Sequence, residues 1–314
     1  MRALVRWHPA LMITAGLMVV VSLFHAVGIV VDDRMYGQSP AWIKPLKFSL
    51  SFIVYTAWLG ALVHLLEKTS GSLERKARKF GNWIVIAVWA EMFFLDLQTL
   101  RGTTVHFNFR TVLDAVIFES VGAIATTLVV INLLLVAVVL KKRAAAPPVM
   151  LALKIGTWLL VASSLVGIYM AFPTEPGGWS NDVVGAHSVG ADIDHDVTPV
   201  IFWAAEGGDL RVSHFIGLHA FQLLPLIAMF LSRWVDRRMV WVLGTGYTAV
   251  FLLSLVQALA GEAPFEPSAP TLLAGGAILA GTLAGIVWAR LNPSDAPPVP
   301  PAPERATEPE SVNL

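Results

Sequence analysis

Apolar residues run along this chain in eight long segments separated by short polar stretches. The segments cover about residues 10–31, 46–66, 82–100, 112–140, 150–172, 214–232, 239–260 and 270–290. Each has close to the roughly 20 residues that an α-helix needs to cross the hydrocarbon core of a bilayer. The pattern predicts an all-α, polytopic transmembrane helix bundle of about eight spans.

The composition is typical of an integral membrane protein. Of the 314 residues, 56% are hydrophobic and only 14% are charged, and the mean hydropathy is +0.67. A soluble domain would carry more charge on its surface. The net charge of zero gives no support for a nucleic-acid partner. The absence of cysteine excludes disulfides, thiolate ligands and thiol catalysis, so any metal must be held by histidine and carboxylate.

The positions of lysine and arginine in the connections predict how the chain is oriented in the membrane. They gather in the connections 66–79, 141–143 and 233–238 and near the two ends, which places these regions in the cytoplasm of a multi-pass protein of the cell (plasma) membrane. Both termini are therefore predicted to be cytoplasmic. The apolar run 9–31 is longer than a signal-peptide core and lacks a small-x-small cleavage site, so we interpret it as a retained first helix.

The long connection 173–213 differs from the others because it is acidic and rich in glycine. We expect it outside the cell, as a lid, a binding element for a small molecule or a protein partner, or a disordered loop. It belongs to a transmembrane domain of residues 1–292, which is followed by a predicted disordered cytoplasmic tail, 293–314, that is poor in apolar side chains.

The predicted third helix carries polar residues on one face. Glu91 and Gln98 are seven residues apart, and Arg101 follows about one turn later. A carboxylate inside the membrane is costly unless it is paired or faces a wet cavity, so these three residues are candidate catalytic groups. Arg101 or a histidine is the expected partner of Glu91. The alternative is a protonated Glu91 that makes only a packing contact, and the sequence favours neither interpretation.

The fourth helix adds two carboxylates. Asp114 and Glu119 are five residues apart, about 140° around a helix, so at most one of them lines a given cavity. Asp114 joins the catalytic candidates, although a carboxylate in a first helical turn is more often solvated and stabilised by the helix dipole.

Six of the eight histidines fall on the outer side in this topology, which makes that face rich in histidine. His219 and Gln222 share a face of the sixth helix, whereas His214 is expected at the membrane interface. An intramembrane imidazole can ligate haem or a metal, relay a proton, or only hydrogen-bond a neighbouring helix. The candidate cofactor-binding residues are His25, His106 and His219, and Gln222 completes the catalytic set.

The loop segment GAHSVGADIDHD is dense in metal-ligating side chains. His187 and Asp192, together with His214, are the candidate ligands of a divalent cation. The spacing matches neither HExxH nor an EF-hand loop, and such a run is more often a solvated acidic loop.

Two further motifs predict structure. Trp42, Lys44 and Lys47 in AWIKPLKFSL suit anchors at the membrane interface. Gly281 and Gly285 form a small-xxx-small face that lets the last helix pack closely.

Four motifs together resemble a family of bacterial, largely actinobacterial, polytopic membrane proteins of uncharacterised activity. They are WIKPLKFSLSF from Trp42, RGTTVHFN from Arg101 followed by Thr111 and Asp114, GAHSVG from Gly185, and GGDLRVSHFIGLHAFQ from Gly207. The resemblance covers most of residues 8–290. The family leads us to expect Gly-Trp-Ser just before the last motif, whereas here GWS stands earlier, at 178–180. The resemblance implies no activity.

The gathering of histidine on one side, without cysteine, leads to a first hypothesis of a metal- or haem-dependent, redox-type protein whose site opens outside the cytoplasm. A transporter or channel for a small solute or protons is the alternative, with Glu91, Gln98, His219 and Gln222 at the midplane. A third is a non-catalytic assembly or sensor protein that binds a partner through residues 173–213.

Overall fold

The computed structural model describes residues 7–66, 71–172, 179–180, 182–191 and 196–294. Within these ranges the chain is an all-α bundle with eight helices, each long and apolar enough to span a membrane, as predicted. The protein is thus a multi-pass membrane protein in contact with lipid. The helices are α1 (Pro9–Val31), α2 (Ile43–Leu65), α3 (Ser72–Leu100), α4 (Val112–Lys142), α5 (Pro147–Met170), α6 (Leu210–Phe230), α7 (Arg237–Leu259) and α8 (Ala269–Leu291).

Helices α3 and α6 begin four or more residues earlier than hydropathy predicts. Helix α3 starts at Ser72, ten residues before the expected start, because the charged segment is amphipathic and buries Ala77 and Gly81. The ring of His8 fills the space beside Gly81 and its Nε2 lies 2.9 Å from the carbonyl oxygen of Arg78. Helix α6 starts at Leu210 because the side chain of Asp209 accepts a hydrogen bond from the backbone N–H of Arg211.

Small residues bring α5 and α6 into close contact. A Cβ on Gly156 would lie 2.6 Å from the carbonyl oxygen of Ala220, and one on Gly217 would lie 3.0 Å from that of Leu159. Glycine at such positions lets two backbones approach each other in lipid, where dispersion rather than the hydrophobic effect drives helix association.

The last helix is the least buried. Ala289 is its one buried residue within the described chain. Gly285 lies against Val242 of α7, as predicted for a small-residue face, but a Cβ on Gly281 would meet nothing within 4 Å. The predicted close packing of α8 is therefore confirmed at one of its two glycines.

One end of the bundle, called the loop end below, is where the chain leaves α1, α3, α5 and α7 and enters the next helix. Short antiparallel strand pairs lie there. They are β1 (Met35–Tyr36) with β2 (Ser39–Pro40), β3 (Trp179–Ser180) with β4 (Val183–Val184), and β5 (Ser188–Val189) with β6 (Gly208–Asp209).

The described parts of the long connection fold over the loop end. The backbone N–H of Phe109 donates to the carbonyl oxygen of Asp182 at 2.9 Å, and Gln38 Nε2 donates to Asp196 Oδ1 at 2.9 Å. Residues 196–206 form a small hairpin in which Val197 pairs with Ala204. These parts are an ordered cover, whereas residues 173–178, 181 and 192–195, and 295–314 of the predicted tail, lie outside the described residues.

Candidate functional site

Asp114 is the centre of a buried network near the loop end. Arg101 Nη1 donates to its Oδ1 at 2.7 Å, Gln98 Nε2 donates to the same oxygen at 2.9 Å, and Thr111 Oγ1 donates to Oδ2 at 2.7 Å. Thr111 also accepts a hydrogen bond from the backbone N–H of Asp114 and caps α4. Three of the predicted site residues are therefore brought together here.

This network changes the predicted roles of two residues. Arg101 was expected as a partner of Glu91, but its guanidinium pairs with Asp114 instead. Asp114 does lie in the first turn of α4, as predicted, but it is 3% exposed rather than solvated. Because every donor around Asp114 comes from the ends of α3 and α4, the network joins those two helix ends.

His25 forms a second polar network across α1, α2 and α3. The residue is fully buried, its Nε2 lies 2.9 Å from Asp96 Oδ1, and its Nδ1 lies 3.2 Å from Ser49 Oγ. Ser22 Oγ donates to Ser49 Oγ at 2.9 Å. Both ring nitrogens of His25, a predicted cofactor ligand, are thus occupied by protein partners.

Glu91 lies deeper in the bundle, nine residues before the end of α3. At a rise of 1.5 Å per residue this is roughly 13 Å below the helix end, close to the middle of a bilayer. The residue is 3% exposed, and its Oε2 has no hydrogen-bond partner within the described chain. A buried carboxylate oxygen without a donor is rare, which makes Glu91 the outstanding polar group of the interior.

Lys44 is a charged group within electrostatic range of Glu91. It is the second residue of α2 and is partly buried. Its amine lies within electrostatic range of Glu91, His106 and Arg211, but it makes no hydrogen bond or ion pair with any residue that the structure describes.

The prediction of interface anchors is wrong for two of the three residues, because Trp42 is buried and Lys44 is partly buried. Lys44 is partly buried and lies within electrostatic range of Glu91. Trp42 is 5% exposed, and its Nε1 donates to Asp32 Oδ2 at 2.7 Å. A lysine whose apolar stem is partly buried by protein is less able to place its amine among the lipid headgroups.

His106 lies among aromatic rings, within electrostatic range of Lys44. Its ring centroid is 6.2 Å from that of Phe48, one turn after Lys44 on α2, and 6.3 Å from that of Phe118. Its Nδ1 is buried without a hydrogen-bond partner in the described part of the chain. Burial, and the nearby charges of Lys44 and His214, hold the pKa of His106 well below its usual range. The imidazole is therefore neutral at pH 7.

Arg211 and Asp209 form a fork at the start of α6. Arg211 Nε donates to both carboxylate oxygens at 2.9 and 3.1 Å, and Nη2 donates to Oδ2 at 2.6 Å. Asp209 is 1% exposed, and the hydrogen bonds and charge of Arg211 outweigh burial, so the pKa of this carboxyl is lowered. Lys47 lies nearby, within electrostatic range of both residues, and its Nζ donates to the carbonyl oxygen of Ile201.

The two histidines of α6 differ in their surroundings. His214 was expected at the membrane interface, but its Nδ1 lies 2.7 Å from the carbonyl oxygen of Ser163, and its ring packs against Gly167 of α5. His219 Nδ1 lies 2.9 Å from Gln222 Oε1, as their shared face predicts.

His219 lies toward the exposed side of α6. Phe215 and Leu223, four residues before and after it, are 50% and 44% exposed. Its ring centroid is 4.1 Å from that of Phe215. Gln222, by contrast, is buried.

The proposed metal and haem ligands are not gathered in the described chain. The carbonyl oxygen of His187 accepts the backbone N–H of Leu210 at 2.9 Å, and Asp192 lies outside the described residues. Within the described ranges no group of three or more histidine or acidic side chains is close enough to hold a metal ion. His25, His106 and His219 therefore belong to no common ligand set within the described ranges.

No family model, curated protein or solved structure matches the chain. The resemblance based on the four motifs accordingly stays a prediction.

Sequence reasoning missed three residues that the structure brings into these networks: Lys44, Asp96 and Ser49. Asp96 carried a usable signal, because it is a lone carboxylate in the apolar run FFLDLQ. Lys44 stands at a helix end, where lysine is common, so its inward direction depends on the fold.

Proposed function

We propose that the protein moves protons, alone or together with a small solute, across the plasma membrane. The observation that carries this proposal is the buried carboxylate of Glu91, which has an oxygen without a hydrogen-bond partner in the described chain and lies within electrostatic range of the amine of Lys44. Intramembrane acids of this kind typically line proton or ion pathways.

The loop end is proposed to face outside, with both termini in the cytoplasm, because lysine and arginine concentrate at the opposite end. A solute would then pass Arg211 and Lys47 first, reach Lys44, and meet Glu91 near the middle of the membrane. Pro225 interrupts the hydrogen bonding of α6 and supplies a point where that helix can bend during transport.

The transport proposal is favoured over the metal or haem hypothesis because its residues lie together. Glu91 of α3 and Lys44 of α2 lie within electrostatic range of each other, whereas the three histidines of the alternative lie in separate surroundings. Gln98, Arg101 and Asp114 support the site by fixing the ends of α3 and α4 rather than by contacting a substrate.

The test is proton flux in vesicles containing the purified full-length protein and a pH-sensitive dye. A potassium diffusion potential is applied with and without the low-molecular-weight fraction of a cell extract outside. The wild-type protein should change the internal pH faster than empty vesicles. Glu91→Gln should lower the initial rate at least about tenfold, because the substituted side chain cannot carry a proton.

Glu119→Gln is the matched control, since Glu119 is an exposed carboxylate on the neighbouring helix α4. This variant should transport like the wild type. Wild-type vesicles that behave like empty ones under both conditions, or an unchanged rate in Glu91→Gln, would refute the proposal.

A further inference from the structure

Building on the proposed transport function, we propose that Lys44, Lys47 and Arg211 form a binding site for a small anion with a carboxylate or phosphate group. The three cations come from the first turns of α2 and α6, which both begin at the loop end. Arg211 lies within electrostatic range of both lysines. The inference names the class of solute that the transport proposal leaves open.

Positive charge exceeds negative charge at this place. Asp209 is the acid beside the three cations, and Arg211 already binds it through two nitrogens. Glu91 lies deeper, beyond Lys44, so even with its full charge the five groups retain one excess positive charge. The N-termini of α2 and α6 add partial positive charge in the same direction.

The cations retain unused hydrogen-bond donors. Lys44 has no hydrogen bond or ion pair to the described residues, and Arg211 uses Nε and Nη2 on Asp209, which leaves its Nη1 without a partner there. Lys47 donates to the Ile201 carbonyl oxygen, a neutral acceptor, and the acid within its electrostatic range, Asp209, is already bound by Arg211. Partly buried cations that outnumber the acids beside them cost free energy, and a bound anion would offset that cost.

The geometry of the donors selects the kind of anion. A guanidinium with a free nitrogen and two ammonium groups suit the oxygens of a carboxylate or a phosphate, which accept several charge-assisted hydrogen bonds. The ligand is expected to be small, because Glu91 lies just beyond Lys44 and would repel a second negative charge at depth. The hairpin of residues 196–206 borders the site through Ile201, whose carbonyl oxygen the anion would replace on Lys47.

The binding test uses the purified full-length protein in detergent. Thermal unfolding is followed while sodium phosphate or sodium acetate is added, with sodium chloride at equal ionic strength as the reference. At least one of the two anions should raise the unfolding midpoint in a saturable manner, as expected for a ligand that binds the folded state. The two arms distinguish a phosphate from a carboxylate ligand. Equilibrium dialysis with the radiolabelled anion then gives its affinity.

Lys44→Met should weaken binding of the effective anion at least about tenfold, because it removes the unpaired charge and keeps an apolar stem of similar length. Arg110→Gln is the control, since Arg110 is an exposed cation at the same end of the bundle, and it should bind like the wild type. If Lys44→Met does not fold, Lys47→Met provides the same comparison. Saturation by neither anion, or equal affinity in the wild type and the lysine variant, would overturn the proposal.

Binding in detergent and flux in vesicles separate this inference from the transport proposal. Anion binding that depends on Lys44, without flux in vesicles, would support the anion site and refute transport. Flux that depends on Glu91, without binding of either anion, would refute the anion site and leave proton transport standing.

Discussion

The imidazole of His25 and the carboxylate of Asp96 meet inside the bundle, with 2.9 Å between Nε2 and Oδ1. The histidine is completely buried, and its other ring nitrogen lies 3.2 Å from Ser49 Oγ. The ring also stacks on Trp42, with 5.8 Å between centroids. One imidazole therefore joins α1, α2 and α3 by polar contacts, which in lipid must be satisfied within the protein.

Asp96→Ala should destabilise the protein. The substitution removes the acceptor of the buried His25 ring, and an unsatisfied buried polar group costs about 1–3 kcal/mol. Unfolding by SDS titration of the purified protein would measure the loss. Asp33→Ala, which removes an exposed carboxylate next to α1, should have no comparable effect, and equal stability of the two variants would contradict the structural role of the pair.

Asp114→Ala should be more harmful than Asp114→Asn. Alanine removes the acceptor of Arg101, Gln98 and Thr111 together, whereas the asparagine oxygen still accepts some of these hydrogen bonds. We expect a loss of about 1–3 kcal/mol for alanine in the same unfolding assay. Because Arg101 and Asp114 share one network, the double alanine variant should lose less than the sum of the two single losses. Strict additivity would argue against the network.

Gly208→Ala should destabilise the contact between β6 and α7. A Cβ at this position would lie 1.8 Å from the carbonyl oxygen of Ala258, so the backbone must shift. Overpacking of this kind costs about 1–3 kcal/mol or more. Gly276→Ala is the control, because a Cβ there meets nothing within 4 Å. Gly276→Ala should be neutral or slightly stabilising, by about 0.5–1 kcal/mol. The thermal unfolding midpoint of Gly276→Ala should therefore be higher than that of Gly208→Ala.

Stability should fall as the pH drops below about 6.5, the usual pKa of histidine. Burial lowers the pKa of His106, and also that of His8, in the folded protein. The unfolded chain therefore takes up protons that the folded chain excludes. The resulting stability is fully present above the unfolded pKa and is lost below it, at up to about 1.4 kcal/mol per pH unit for each excluded proton.

His106→Gln should flatten this pH dependence between about pH 6.5 and pH 5. Thermal unfolding midpoints of the wild type, His106→Gln and the double variant with His8→Gln would measure the effect, with the double variant flattest. Identical slopes in all three proteins would contradict burial of neutral imidazoles.

The absence of native cysteine permits a direct test of orientation. Val200 is 81% exposed at the loop end, and Ser72 is exposed at the opposite end. In intact cells a membrane-impermeant thiol reagent should label Val200→Cys but not Ser72→Cys, while the wild-type protein gives no background. The reverse pattern would invert the predicted topology.

Helix number and limits could be predicted from the sequence, because a backbone in hydrocarbon must satisfy its hydrogen bonds internally over a fixed length. The starts of α3 and α6 were missed by four or more residues, for local reasons. Asp209 caps α6 before the apolar run begins, and Ser72 starts an amphipathic extension of α3 that hydropathy alone does not detect.

The candidate site was predicted only in part. Gln98 and Arg101 follow each other along α3 as helix geometry predicts, but their shared acceptor Asp114 was expected to be solvated. Glu91 could be singled out from its depth in an apolar helix. Its relation to Lys44, and the isolation of the histidines from one another, could not be derived because the helical period does not specify which helices are neighbours.

The sequence by itself determined that this chain is a bundle of eight apolar helices, with most of its histidines near one end, since length and hydropathy are properties of each segment alone. Only the tertiary structure decided which polar side chains meet. It brought Lys44 within electrostatic range of Glu91, paired His25 with Asp96 and directed Arg101 to Asp114. The physical reason is that helix packing in lipid depends on contacts between small residues such as Gly156 and Gly217, and these contacts fix the rotation of each helix.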